Sequence, residues 1–133
     1  MFLNRLSMQE KENFISLAMK AAESNGMVVE EEYSMIEEYC KEMGIAFFDA
    51  RNVKEVNDIV AFFRNSSLAN KKTVLLEMIG LMYADGDYDE DERQFVKSIA
   101  TGIGLTNGDV EKYDGFILKY ISLVKDTLED IQL

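Results

Sequence analysis

Apolar residues recur at helical spacing along nearly the whole chain. The first run follows Ser7 and Glu10, whose Ser-x-x-Glu spacing is typical of a capping box at the start of a helix. Gly26 ends this run, because glycine is the strongest punctuation in a chain without proline. Two further runs predict a second helix from about Glu30 to Met43 and a third from about Asp49 to Arg64.

The same order of apolar runs and glycines returns 60 positions later. Residues 14–45 align with residues 74–105 without a gap, and both glycine stops and the acidic start of the second helix coincide. Only four of the aligned pairs are identical, so the repeat rests on the pattern of core positions rather than on identity. Since one helix pair cannot bury its apolar face alone, the two units are expected to pack together. A long final helix follows, with Thr106 and Asp109 as its cap.

These patterns predict an all-α fold, a helical bundle of about six to seven helices built from two repeated helical units in one domain over residues 1–133. The absence of proline agrees, because proline interrupts helix interiors. Gly44 followed by Ile45 suggests a Schellman motif at the end of the second helix. The run from Val74 to Ala84 is apolar nearly all round, which predicts a central helix, and its Gly80 is interpreted as permitting a close helix crossing.

Composition excludes several classes of function. The formal net charge of −11 is spread over the whole chain and would repel nucleic-acid phosphates, whereas cationic partners and divalent metals stay open. The chain has no histidine, so Ser-His and Cys-His nucleophile pairs and most catalytic zinc sites are excluded. Cys40 is the only cysteine and is expected in the core. No apolar run suits a signal peptide or a membrane span, which indicates a cytoplasmic protein. Because the chain lacks histidine and no residues indicate a substrate pocket, we expect that it is not an enzyme.

One segment stands out chemically, because six of the eight residues from Asp85 to Glu92 are acidic. In a structural interpretation, Gly86 ends one helix in a left-handed conformation, and Asp89 caps the next helix in a box closed by Glu92. In the alternative interpretation, Asp85, Asp87, Asp89 and Glu92 form a divalent cation site.

The spacing of these carboxylates partly resembles a calcium-binding loop. An EF-hand loop, however, needs glycine at its sixth position and glutamate at its twelfth, and here those positions hold Glu90 and Val96. The segment is therefore not an EF-hand loop. We expect no bound cofactor, and calcium or magnesium binding no tighter than millimolar.

The acidic segment also carries a family resemblance. The motif reads Ala84-Asp85-Gly86-x-Tyr88-x-x-x-Glu92. It resembles the Ala-Asp-Gly-x-aliphatic-x-x-x-Glu signature of the TerB-like tellurite-resistance domain, with a tyrosine at the aliphatic position. The similarity extends over about residues 10–130. The first copy has Asn25-Gly26 at the equivalent place, which departs from the signature and from a symmetric pair of sites.

This resemblance implies a helical bundle with a cytoplasmic role in a stress-response system. It implies a protein partner, within a membrane-associated complex, and metal sensing, but no known catalytic activity. We expect no nucleic-acid partner and no insertion into a membrane. Two hypotheses follow: a non-enzymatic interaction or scaffold module, or a divalent-cation-binding regulatory domain that uses the segment from Asp85 to Glu92.

Overall fold

A computed structural model of the chain describes residues 2–24, 30–45, 53–83 and 88–132. These ranges contain six α-helices and a short 3-10 helix, Leu3–Arg5, and no strand. The helices are α1 (Met8–Ala22), α2 (Glu30–Met43), α3 (Val56–Arg64), α4 (Leu68–Met82), α5 (Glu90–Ile103) and α6 (Asn107–Ile131). The prediction of an all-α bundle of six to seven helices is confirmed.

Side-chain caps explain where several helices begin. At the start of α1, the Ser7 hydroxyl accepts from the Glu10 N–H at 3.2 Å, and Glu10 Oε1 accepts from the Ser7 N–H at 3.0 Å. Thr106 and Asp109 form the same reciprocal box at the start of α6. Ser67 caps α4. The caps predicted for α1 and α6 are confirmed. Each cap provides a hydrogen-bond acceptor for backbone N–H groups that the first helical turn leaves without a partner.

Glycines with positive φ end α2 and α5. Gly44 has φ of 74° and Gly104 has φ of 100°. In both places the residue after the glycine donates its N–H to the carbonyl five positions earlier, at 2.8 Å, which is the defining bond of the Schellman motif. The motif predicted at Gly44 is confirmed. The predicted stops at Gly26 and Gly86 lie outside the described residues.

The predicted start of α3 is wrong. The sequence pattern placed it near Asp49, which lies outside the described residues, but α3 begins only at Val56, and residues 53–55 are not helical. The Lys54 N–H donates instead to the Ser16 hydroxyl of α1 at 3.2 Å. A tertiary contact therefore holds the backbone before α3 in a non-helical path.

The helices pack in two connected pairs. The bounds of α4 follow those of α1 by 60 positions, and the bounds of α5 follow those of α2 by the same number. Superposition of the two pairs stays a prediction. The main contacts of α2 are with α1, α4 and the 3-10 helix, whereas α5 is packed by α1, α3, α4 and α6. As expected for a central helix, α4 buries eight of its 15 residues.

Candidate functional site

The predicted cation site is divided by the limits of the described chain. Asp85 and Asp87 lie outside the described residues. Asp89 and Glu92 form a capping box at the start of α5: Asp89 Oδ1 accepts from the Glu92 N–H at 2.8 Å, and Glu92 Oε1 accepts from the Asp89 N–H at 3.3 Å. The Glu92 side chain is fully buried. The predicted Asp-x-x-Glu cap is therefore present, and it occupies one oxygen of each carboxylate.

Metal-ligand geometry is absent from the described part of the chain. Within those residues, no group of three or more histidine, cysteine, aspartate or glutamate side chains could hold a metal ion. Since two of the four predicted ligands lie outside this part, the cation site stays a prediction.

An aromatic and charged cluster surrounds the start of α5. The Arg93 guanidinium lies 4.1 Å from the centre of the Tyr88 ring, and the Tyr83 ring meets Tyr88 edge-on at 5.0 Å between centres. Arg93 Nε also donates to the Tyr88 carbonyl at 3.2 Å, and Arg93 Nη1 lies 3.6 Å from Asp114 Oδ2 on α6. Arg93 therefore joins the backbone before α5 to α6.

Burial sets the ionisation of this cluster. Burial raises the pKa of Asp114, while Arg93 and a hydrogen bond from Tyr83 oppose that rise. Burial, followed by the Asp114 charge, raises the pKa of Tyr88, so the phenol stays protonated at neutral pH. The Tyr88 hydroxyl and Asp114 Oδ1 are both buried, and neither has a hydrogen-bond partner among the described residues. The cluster includes Tyr88 of the acidic segment, and Arg93 links that residue to α6.

A second feature, which the sequence reasoning missed, is an open groove between α2, α4 and α6. Its volume is about 380 Å³, and most of its wall is apolar. The lining residues are Met35, Tyr39, Glu77, Gly80, Tyr83, Ile117, Tyr120 and Ile121. One sequence signal pointed to it: Gly80 removes a side chain from α4 opposite the apolar stripe of α6.

Gly80 leaves space in the groove instead of allowing a tight helix crossing. A Cβ atom built at Gly80 would lie 3.6 Å from Ile117 Cδ1 and 3.8 Å from the Tyr39 hydroxyl, which are ordinary contact distances. Glycine is therefore not required for the approach of α4 to α6, contrary to the interpretation made from the sequence.

Two polar residues of the groove, Tyr39 and Glu77, are hydrogen-bonded within the fold. The Tyr39 hydroxyl donates to the Glu77 carbonyl at 3.0 Å, and Glu77 Oε1 accepts from the Phe2 N–H at 2.9 Å. Burial, followed by the charges of Glu77 and Glu42, raises the pKa of Tyr39. The phenol of Tyr39 is protonated and the carboxylate of Glu77 is hydrogen-bonded. A ligand in the groove would therefore make mainly apolar contacts.

The groove continues into an exposed apolar surface on α6. From Leu118 to Ile131, every residue of α6 is exposed. Eight large apolar side chains between Phe116 and Ile131 are 38–65% exposed. They are Phe116, Leu118, Tyr120, Ile121, Leu123, Val124, Leu128 and Ile131. We call these eight residues the α6 surface.

The structure is an all-helical module with capped helix pairs, a buried Asp-x-x-Glu box and an adjoining apolar groove. This is the kind of module that the sequence motif suggested. The family model described as tellurite resistance protein TerB matches residues 11–114. The chain therefore belongs to the TerB family, and the resemblance noted from the acidic segment is confirmed. Comparisons with curated proteins and with solved structures gave no match. Within the described residues, no helix has the length and apolarity that crossing a membrane requires.

Proposed function

We propose that this chain is a non-enzymatic interaction or scaffold module of a cytoplasmic stress-response system of the tellurite-resistance type. Its partner is a protein, within a membrane-associated complex. The observation that supports this proposal is the open apolar groove between α2, α4 and α6, together with its continuation along α6. An exposed apolar patch of this kind is typical of a site for protein association.

The groove suits a side chain from a partner better than a substrate. Its volume of about 380 Å³ lies at the low end of the range for ligand pockets, roughly 300–1,000 Å³. Tyr39 and Glu77 are already hydrogen-bonded to the protein itself, so few polar groups remain to orient a reacting molecule. An amphipathic helix in an apolar groove is a common way to recognise a partner, with anchors spaced three or four residues apart.

A photo-crosslinking experiment in cells tests this function. A photoreactive phenylalanine analogue replaces Tyr120, which lines the groove, and in a control chain it replaces Ser98, an exposed residue of α5. We expect defined protein adducts from position 120 and only background from position 98. Equal background from both positions, with and without tellurite, would remove the support for an interaction module.

The second candidate function is a regulatory cation site formed by Asp85, Asp87, Asp89 and Glu92. The density of carboxylates in this segment favours some cation binding. Since Asp89 and Glu92 each give one oxygen to the cap of α5, we expect a Kd of about 10⁻⁴ to 10⁻³ M for calcium or magnesium. Calorimetric titration of the full chain measures it, with Asp85→Asn and Asp87→Asn as controls. Micromolar binding that both substitutions abolish would favour the regulatory function over the scaffold.

A further inference from the structure

The exposed half of α6 carries the spacing of a coiled-coil seam. Ile117, Ile121, Val124, Leu128 and Ile131 follow one another at intervals of four, three, four and three residues. This is the heptad pattern by which one helix packs against another. Ile117 is buried in the body of the protein, but the other four are 38–55% exposed. The seam therefore extends beyond the helices that cover its first residue.

The surface is large enough for a stable association. If each of the eight side chains of the α6 surface exposes about 90 Å², together they offer roughly 700 Å², against about 800 Å² per partner in a standard interface. Flanking residues such as Tyr120 and Leu118 widen the apolar face beyond the seam. An apolar face of this width is typical of a helix that is packed on more than one side. A partner helix docked between α6 and the groove would cover both the seam and the flanking residues.

Charge indicates which kind of helix would dock. Although the whole chain has a net charge of −11, α6 carries Lys119 and Lys125 and no carboxylate between Asp114 and Asp126. By contrast, α2 contains six glutamates and one lysine, and its Met35 lines the groove. The middle of α6 is thus an apolar helix with a positive charge, and the groove lies beside an acidic helix. The last turns of α6 carry Asp126, Glu129 and Asp130, so the charge complementarity with α2 lies in the middle of α6 and not at its end.

We propose that a second copy of this chain occupies the groove and the α6 surface. The two α6 helices pair in antiparallel orientation about a two-fold axis, so that the exposed part of each, with Lys119 and Lys125, lies along the partner's α6 and beside the partner's groove. Antiparallel pairing is required because only then does the exposed half of one α6 run back towards the body of the other chain. The arrangement is isologous: the same surface is used twice, and the assembly closes at two chains.

This inference rests on the proposed function as an interaction module, and it names the partner. The α6 surface begins at Phe116, just beyond the residues 11–114 that match the TerB family. Self-association through it would thus be a property of this chain's own final helix. The remaining surface of the body stays available for a different protein.

Analytical ultracentrifugation of the full chain tests the pairing. We expect a monomer–dimer equilibrium with a micromolar Kd or tighter, as interfaces of this area allow. Val124→Glu places a charge in the seam and should weaken the dimer at least about 100-fold, because a buried unpaired carboxylate is costly. Ser122→Glu is the matched control: it adds the same charge to an exposed position of the same helix, away from the seam, and should leave the dimer intact. Circular dichroism checks that both variants stay helical.

A charge-exchange series tests the orientation. The double substitution Lys119→Glu and Lys125→Glu should weaken the dimer about tenfold, because the new carboxylates would repel the glutamates on α2 of the second copy. Adding Glu38→Lys and Glu42→Lys to the same chain should restore much of the affinity. A dimer that the first pair weakens and the second pair does not restore would overturn the docking of α6 against α2.

Other outcomes separate this inference from the proposed function. A chain that stays monomeric at about 100 µM, or a dimer that Val124→Glu leaves unchanged, overturns the pairing through α6. If the monomer still forms adducts with another protein from position 120, the interaction module stands with a different partner. If it forms none, both proposals fail. Sedimentation of the monomer with anionic lipid vesicles, lost in Val124→Glu, would assign the α6 surface to a membrane and overturn the pairing.

Discussion

The two helix pairs have matching bounds, but their surroundings differ. The second pair lies inside the bundle, because α3 and α6 both pack on α5. In the first pair, α1 packs against four other helices, but α2 has fewer neighbours and borders the open groove with Met35 and Tyr39. Two units that read alike along the sequence therefore differ mainly in their second helices: α5 is enclosed by four other helices, whereas α2 leaves one side open at the groove.

One pair of equivalent positions accounts for much of this difference. A Cβ atom built at Gly102 of α5 would lie only 2.8 Å from Val60 Cγ1 of α3, and the Gly102 carbonyl accepts from Arg64 Nε at 3.1 Å. Glycine at this place lets α3 lie close against α5. The equivalent residue of α2 is Glu42, an exposed carboxylate-bearing side chain that suits solvent better than a packed helix. The surface of α5 at Gly102 therefore allows α3 to pack closely, and the equivalent surface of α2 does not.

The groove has a similar origin in α4. Gly80 occupies the place that Lys20 occupies in α1, and Glu77 occupies the place of the fully buried Leu17. The long lysine side chain is absent from α4, and the resulting space lies between α2 and α6. Small differences at equivalent positions thus decide which faces of a repeated unit are covered.

The last residues of α5 and α2 provide the sharpest test of this comparison. Ile103→Ala should lower the free energy of unfolding by about 4 kcal/mol, because the side chain is fully buried and its helix packs against four others. Met43→Ala should cost about 2 kcal/mol, since methionine is flexible and α2 has fewer neighbours. Urea unfolding of both variants measures the difference. Equal costs would mean that the first pair is as enclosed as the second.

Gly102→Ala tests the close packing of α3 against α5. We expect a loss of about 2 kcal/mol in the free energy of unfolding, because the added methyl group would collide with the short, branched side chain of Val60. Adding Val60→Ala should recover part of this loss, which a double-mutant cycle in urea would measure. A purely additive cycle would show that the two residues do not meet in solution.

Glu10→Gln tests the contact between the pairs. Glu10 accepts from Asn70 Nδ2 with both oxygens, at 3.0 and 3.1 Å. Burial alone would raise the pKa of Glu10, but its hydrogen bonds with Ser7, Ser66 and Asn70 together lower it. The contribution of this carboxylate is therefore present above the ordinary glutamate pKa and is lost as the pH falls through the lowered value.

We expect Glu10→Gln to cost about 1 kcal/mol at pH 7 and less at an acidic pH below the lowered pKa, where the natural carboxyl is protonated as well. Urea unfolding at both pH values measures this change. Glu12→Gln, at an exposed position of the same helix, is the control. A cost that is the same at both pH values would contradict a role for the charge.

Gly80→Ala should have the smallest effect, in the opposite direction. Because the new methyl group meets Ile117 at an ordinary distance, the gain in helix propensity should raise the free energy of unfolding by up to about 1 kcal/mol. Thermal and urea unfolding measure it, with Gly102→Ala as the contrasting case. A clear loss of stability would show that the groove is narrower in solution than in this structure.

The features that could be predicted from the sequence depend on neighbours along the chain. A cap such as that between Asp89 and Glu92 involves residues three positions apart, and the end of α2 at Gly44 needs only a residue that tolerates positive φ. The start of α3 could not be predicted in this way. Lys54 bonds to Ser16, which is 38 positions away, and no side chain caps the helix.

The groove and the α6 surface could not be predicted for a different reason. The apolar residues of α6 have the same spacing before and after Ile117, so the pattern predicts one helix with one apolar face. Periodicity indicates that a face will be covered, but it cannot distinguish cover by the same chain from cover by another. Only the packed structure shows that Tyr113 and Ile117 lie in the core and that Val124 does not.

The contact between Glu10 and Asn70 also bears on how such a molecule can arise. These residues occupy the same place in the two copies, and they touch each other. In an assembly of two identical half-length chains, this place would bring two glutamates together, and one would have to bind a proton. Duplication within a single gene removes that restriction, because each copy can then mutate alone. One position keeps the carboxylate that accepts, and the other acquires the amide that donates.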